Sequence, residues 1–253
     1  MIFMQLLKQL YQINSKSGHE DEIKRFVLQY LKGLSLSIYE DNIGNLFITK
    51  GIAEYYPCIA AHLDEVHFPQ HRNLHEINGI VCATDDKRNR IGIGADDKNG
   101  IWIALQLLQS EVPLKVALFV QEEKDGEIPG CRGSKACDLH FFDNVKFVVQ
   151  CDRKGNSDIV TFNEKYNVRL CNDDFIPLGL QQKYGYKPVN GGTTDVVALR
   201  NRGLAIPCCN ISCGYYNAHK PEEYTVYSHL FKSCNFAKDI LTYYRLIENE
   251  KFI

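Results

Sequence analysis

Several short stretches of this chain are apolar from end to end, and each runs into a carboxylate or an imidazole. YPCIAA leads to His62 and Asp64, KVALFVQ to Glu122 and Glu123, and KFVVQC to Asp152. Asp96 lies in the Gly-rich turn GIGADDKNG, and His219 in CGYYNAHKPEEY behind the apolar run IPCCNISCG. Continuous apolar runs of this length are strands of a sheet covered on both faces. Burying unpaired charge at the ends of such strands is costly. Something positive must gather these seven side chains, and two divalent metal ions meet that requirement.

The remaining pattern alternates strands with helices. Leu6, Leu7, Leu10 and Tyr11 form one helical stripe, and Ile23, Phe26, Val27, Tyr30 and Leu31 form a second. LSIYED, NLFITKG and INGIVCAT read as strands, and helical spacing returns with Ile101, Ala104, Leu105 and Leu108. Further helices are expected in GCRGSKACDL, DDFIPLGLQQKYG and TTDVVALRNRG, with a long terminal one from YTVYSH to IENE. This order predicts an α/β fold, a three-layer αβα sandwich around a mixed, largely parallel sheet. With no repeat, Pro/Ser-rich linker or low-complexity tract, residues 1–253 read as one domain.

Composition narrows the function. A net charge of −2 leaves no basic excess for nucleic acid. No apolar run is long enough to span a bilayer. The first residues read as an amphipathic helix interrupted by Lys8 rather than a leader peptide. The ten cysteines include no CxxC pair, and Cys58, Cys82, Cys151, Cys208 and Cys209 lie inside apolar strands. Reduced core thiols in a cytoplasmic protein are expected.

The seven residues divide by chemistry. In HLD, one side chain can bind a metal while the other orients it. GADDKNG reads two ways: a carboxylate bridging two cations through its two oxygens, or a helix cap by Asp96 or Asp97. The adjacent carboxylates Glu122 and Glu123 repel, which favours one on a metal and one free to carry a proton. Asp152 and His219 complete a nitrogen and oxygen donor set suited to zinc, with cobalt or manganese as alternatives. The other histidines read as surface or structural groups, with His67 the least settled.

In the order HxD, GADDK, EE, Asp and a late His, these motifs resemble those of the co-catalytic zinc exopeptidases, a clan that includes peptidase T-like tripeptidases, deacylases and bacterial aminopeptidases. The opening LLKQLYQINSKSGHEDEIKRFVLQYLKG and the later DNIGNLFITKG are similar to peptidase T-like members. The resemblance implies a zinc-dependent exopeptidase fold and two zinc ions. His62 and Asp152 would hold one, Glu123 and His219 the other, and Asp96 would bridge them. It further implies Glu122 as general base, Asp64 as the group that orients His62, and amide hydrolysis by a metal-bound hydroxide.

Spacing departs from the larger members. Only 34 positions separate His62 from Asp96, and 66 residues lie between Asp152 and His219, so neither common inserted lid nor dimerisation domain is expected. Substrate contacts must then come from elsewhere. Backbone N–H groups of Gly192, Thr193 and Thr194 are candidates, as are the hydroxyls of Tyr184, Tyr186, Tyr215 and Tyr216. The expected activity is a metallo-exopeptidase, an aminopeptidase on short peptides, with self-association into a homo-oligomer open. An N-acyl-amino-acid deacylase on the same metals, or a non-catalytic binding protein, are the alternatives.

Overall fold

A computed structural model describes residues 2–250, with side chains described for 4–245; position 1 and positions 251–253 of the expected domain lie outside the described residues. Two helices, α1 (Ile2–Gln12) and α2 (Asp21–Leu31), precede the strands β1 (Leu36–Glu40), β2 (Leu46–Lys50) and β3 (Tyr56–His62). Short strands β4 (Asn73–Ile77), β5 (Ile80–Thr84) and β6 (Arg90–Ile91) lead to α3 (Ala95–Leu108) and β7 (Leu114–Phe119). Next come α4 (Arg132–Ala136), β8 (Val145–Arg153), β9 (Asp158–Asn163), β10 (Val168–Arg169), α5 (Leu178–Tyr184) and β11 (Lys187–Gly191). The last elements are α6 (Asp195–Asn201), β12 (Cys208–Ser212), β13 (Tyr215–Tyr216), β14 (Tyr224–Val226) and α7 (Tyr227–Glu250).

Among the described residues, nine strands form the main sheet, ordered β1-β2-β7-β3-β8-β12-β9-β10 with β11 also on β9. The central neighbours β7, β3, β8 and β12 run parallel, and β1 and β2 add antiparallel at one side. The sheet is mixed with a parallel centre, and helices cover both faces. Alternate residues of one strand feed opposite layers. Ile59 and Ala61 of β3 join the cluster under α1, α3 and α7, while Cys58 and Ala60 join the one under α6. Parallel strands share one direction, so β3, β7, β8 and β12 all end at the same edge. That edge is where ligands bind in open α/β sheets.

Several local expectations are corrected. INGIVCAT is not one strand: Asn78 and Gly79 both take positive φ (52° and 77°) and reverse the chain between β4 and β5. Asn-Gly is the pair that a two-residue hairpin turn selects. With β6, β13 and β14 this hairpin builds a second, small sheet. YTV belongs to that sheet through Thr225 opposite Val81, so the terminal helix starts only at Tyr227. Helix α5 begins after Pro177, because the residue before a proline is pushed out of helical geometry. In GCRGSKACDL only Arg132–Ala136 is α-helical. β7 stops at Phe119, and Gln121 (φ 53°) turns the chain before Glu122.

A buried ion network fixes the sheet edge to the helices. Glu65, fully buried, accepts from Lys98 at 2.8 Å, Arg72 at 2.5 Å and the Ser15 N–H at 2.9 Å. Arg72 also donates to the carbonyls of Tyr11, Ile13 and Gly92. The network ties the end of α1, the loop after β3 and the start of α3 together, one residue from Asp64 and two from Asp96. Burial lowers the Lys98 ammonium to about 8 even with Glu65 holding its charge. Removing the Glu65 charge leaves two buried cations unpaired. Glu65→Gln is therefore expected to destabilise the fold by about 3–5 kcal/mol in denaturant titration; a loss below about 1 kcal/mol would mean the cations find other partners.

Candidate metal centre

His62 closes β3, 1 % exposed, with both ring nitrogens engaged. Nδ1 lies 3.1 Å from the Asp64 carbonyl and 3.3 Å from its Oδ1. Nε2 lies 3.2 Å from Asp96 Oδ1 and 3.5 Å from Asp152 Oδ1. Asp64 does more than orient this ring. Its Oδ1 accepts the Glu122 N–H and its Oδ2 the Glu123 N–H, both at 2.9 Å. One carboxylate thus registers the β3 histidine against the pair beyond β7. Burial alone would raise Asp64, but His62 and these N–H groups hold it below the usual carboxylate range.

Asp96 stands between two imidazoles. Its Oδ1 faces His62, and its Oδ2 lies 3.3 Å from His219 Nε2. His219 also meets Glu123 Oε1 at 2.7 Å. The backbone that presents Asp96 is not yet helical (φ −84°, ψ 99°) although it opens α3. Gly94 before it takes φ 63°, and a Cβ there would lie 2.0 Å from Glu65 Oε2. Glycine is required at that approach by both conformation and space.

Asp152 is held by its surroundings. Its N–H donates to Asn210 Oδ1 and its carbonyl accepts from Asn210 Nδ2, both at 2.9 Å. Its Oδ2 accepts from Thr194 Oγ1 at 2.7 Å and Gln150 Nε2 at 3.1 Å, and Tyr215 donates to Oδ1 at 3.4 Å. Glu122 accepts from Cys131 Sγ at 3.2 Å and lines the same cleft, a cavity of about 670 Å³.

The electrostatics follow from this crowding. Burial raises Glu122 well above the usual range, and the charges of Asp152, Asp195 and Glu123 add to it. Burial raises Glu123 to about 7. Hydrogen bonds to Asp96 and Glu123 lift His219 to about 10. Burial opposes charge on His62, yet its bonds to Asp152, Asp64 and Asp96 prevail and its pKa is raised. Buried acids are thus held by protons where a cation would serve the same purpose.

The donors form groups that could hold such a cation. Ligand atoms of Asp96, Glu123 and His219 lie within 4.8 Å of one another, as do those of His62, Glu122 and Glu123. Asp97 also falls in such a group with His62 and Asp152. Its oxygens, however, accept from the Gly100 N–H (2.9 Å) and the His62 N–H (3.2 Å), which commits them to the main chain. Asp96 is the carboxylate that faces both histidines.

All seven residues singled out in the sequence converge here. The other candidates separate. Gly192, Thr193 and Thr194 line the cleft, but the Thr194 hydroxyl is used on Asp152, and the Val196 N–H of α6 donates to Gln150. Of the four tyrosines, Tyr215 reaches the centre. Tyr184 bonds Asp239, Tyr186 bonds Ser212 and Ser233, and Tyr216 bonds His229.

Two residues with no strand-end signal also serve the centre. Glu223, fully buried, accepts the Gly94 N–H at 2.7 Å, the Asp96 N–H at 3.1 Å and His67 Nε2 at 3.0 Å. It lies four residues after His219, so one loop carries the histidine and holds the backbone of Asp96. Asp195, raised to about 7 by burial, bonds Ser134 and Gln150 behind Asp152. The HKPEE run, four positions from His to Glu, was the available hint for Glu223.

No protein-family model matches the sequence, and no curated protein matches it. Solved structures do match. Aminopeptidase PepT of Bacillus cereus ATCC 10987 superposes with a TM-score of 0.80 at 15% identity, over 94% of this chain and 97% of that one. A tripeptidase of Staphylococcus aureus subsp. aureus mu50 gives 0.77 at 15% identity, over 94% and 96%. The TET1 peptidase of Pyrococcus horikoshii, which can assemble into a tetrahedron or a large octahedral shell, gives 0.72 at 16% identity, over 94% and 99%. The chain shares the fold of these peptidases.

The raised pKa of His219 would set the proton balance of metal binding at this ring. At pH 7 its ring, titrating at about 10, is protonated in the metal-free fold, whereas a metal ligand must be neutral. Zinc binding at pH 7 is expected to release protons, and apparent affinity to rise with pH. Calorimetry in two buffers of different ionisation enthalpy reads the release directly. At zinc a hundredfold above its dissociation constant, stability should rise by about 2.7 kcal/mol. Identical heats in both buffers would show that His219 is not displaced from its proton.

Proposed function

We propose that this chain is a di-metal exopeptidase, an aminopeptidase that hydrolyses short peptides. The observation that carries the reading is Asp96, whose two oxygens face His62 at 3.2 Å and His219 at 3.3 Å. A carboxylate shared in this way is the arrangement that two neighbouring cations require. His62 and Asp152 would hold one, His219 and Glu123 the other, with zinc the ion best suited to these donors. Bound there, two divalent cations supply Lewis acidity at a carbonyl oxygen and a lowered pKa for water.

The side chains supply the rest. Glu122 lines the cleft, and its raised proton affinity suits it to take a proton from water and pass it to the leaving amine. Cys131 donates to Glu122 Oε1 and limits the carboxyl's freedom. Asp64 keeps His62 and the Glu122–Glu123 backbone in register. Tyr215 lines the cleft with its proton held by burial, and its hydroxyl, now donating to Asp152 Oδ1 at 3.4 Å, can turn to an oxygen that gains charge. Gly192 and Thr193 line the cleft next to Thr194, which donates to Asp152.

The chain in this reading is one catalytic domain without an inserted lid, in the cytoplasm. The ten cysteines are all unpaired, which fits a reducing compartment. No helix among the described residues is long and apolar enough to cross a membrane. Self-association belongs to the same reading, by analogy with the assembly of the TET1 peptidase.

Zinc-loaded protein is expected to cleave peptides with a free N-terminus and to leave their N-acetylated forms intact. Preference for acylated amino acids would assign a deacylase instead, and no turnover of either would leave a binding protein. Glu122→Gln is expected to lower turnover by about 10²–10⁴-fold. Its zinc content, read by elemental analysis, should stay near that of the parent. Undiminished cleavage by this variant would remove Glu122 from the proton-transfer role.

A further inference from the structure

The cleft changes sign away from its acidic centre. Outside Asp96, Glu122, Glu123 and Asp152, its charged lining is Lys124, Lys135, Arg153, Lys154 and Lys165 against Glu127, apart from His219. Composition does not account for this excess, because the chain as a whole carries a net charge of −2. Nor are all these cations spent on the protein. Arg153 pairs with Asp158 at 3.2 Å, and Lys135 donates to the Gly130 carbonyl at 2.7 Å. Lys165 lies over the Tyr166 ring, 5.1 Å from its centroid, and has no acidic partner among the described residues. Lys124 and Lys154 are exposed, and their ammonium groups make no hydrogen bond or ion pair among the described residues.

Their placement in the chain matters as much as their sign. Lys124 directly follows Glu123, and Lys154 comes two residues after Asp152 at the end of β8. Two residues of extended chain span about 7 Å. A substrate peptide advances by a similar length over two residues, about 3.3–3.6 Å each. Lys124 and Lys154 line the same cleft as the centre, so a group one or two residues from a scissile amide held there would pass along the wall that carries them. Lys165 and Tyr166 stand on the connection from β9 to β10, beside Gly192 and Thr193 on the wall.

We propose that the cleft selects short peptides by a carboxylate one or two residues from the scissile bond, held by Lys124, Lys154 and Lys165. The inference rests on the peptidase reading above and names its substrate class. Two sources offer the same chemistry: the C-terminal carboxylate of a dipeptide or tripeptide, and an Asp or Glu side chain. A cationic rim around a metal centre also favours the encounter with such substrates through its field, an effect that salt screens.

Paired substrates test it on the zinc-loaded protein. One pair differs only in a free or amidated C-terminus, and a second only in Glu or Gln beside the scissile bond. The carboxylate member of one pair or both should be preferred in kcat/KM by about tenfold, the scale of a hydrogen bond to a charged group. The pair that responds identifies the source. Lys154→Met and Lys165→Met should narrow that ratio, whereas a merely structural role would lower both members alike. Raising NaCl should narrow it too. Equal kcat/KM within both pairs would overturn the proposal while leaving the peptidase reading intact. If no peptide is cleaved, the same pairs are titrated into zinc-loaded Glu122→Gln protein by calorimetry. Tighter binding of the carboxylate members would then sustain the proposal and reject the peptidase reading, and equal or absent binding would overturn the proposal.

Discussion

Carboxylates packed within hydrogen-bonding reach of two imidazoles are the constraint on which the rest of this molecule depends. Asp96, Glu123 and Asp152 share one end of the cleft with His62 and His219, and Glu122 lies beside them. Like charges so close cannot all ionise in a partly dry site without a compensating cation. The fold supplies rigid supports that keep the repelling groups from separating. Asp64 clamps two backbone N–H groups, Glu223 clamps two more, and Asn210 makes a two-way bond to the backbone of Asp152.

Those supports work because the sheet delivers its ends together. Strands β3, β7 and β8 are parallel neighbours, so His62, the turn to Glu122 and Asp152 emerge side by side at one edge. Asp96 and His219 reach the edge by other routes, one at the start of α3 and one in the loop between β13 and β14. Glu223 and the Glu65 network fasten those routes down. The precision of the site is therefore carried by buried polar groups, which is where the fold accepts the risk of desolvated charge.

Much of this was legible in the sequence, for a physical reason. A strand buried on both faces is an unbroken apolar run, so a charge at its end stands out against its neighbours. His62, Glu122, Glu123 and Asp152 announce themselves in this way. Gly94 and the two aspartates after it are marked by a turn that only glycine permits. What stayed hidden depends on contacts distant in the chain. Glu223 looks like one acid in a polar loop until it meets the N–H groups of Gly94 and Asp96, more than a hundred positions away. Gln150 and Asn210 sit inside apolar strands as polar exceptions with no visible partner. The hairpin at Asn78 and Gly79 was written in its residue pair, but the flanking strands are short and half exposed, and their periodicity is weak.

The inner centre and the outer rim answer different demands. At the centre, holding a cation would require acids and neutral imidazoles, and their own repulsion limits how many the fold tolerates. Further out, an acidic wall would add to that repulsion and turn away anionic substrates. Lysines two residues from Asp152 and one from Glu123 set positive charge on the cleft wall beside the acidic centre. They do so on exposed, flexible stems, where a charge costs little to hold. Alternation of sign along the cleft answers one physical problem, how to concentrate negative charge at a sheet edge without extending that repulsion along the whole cleft.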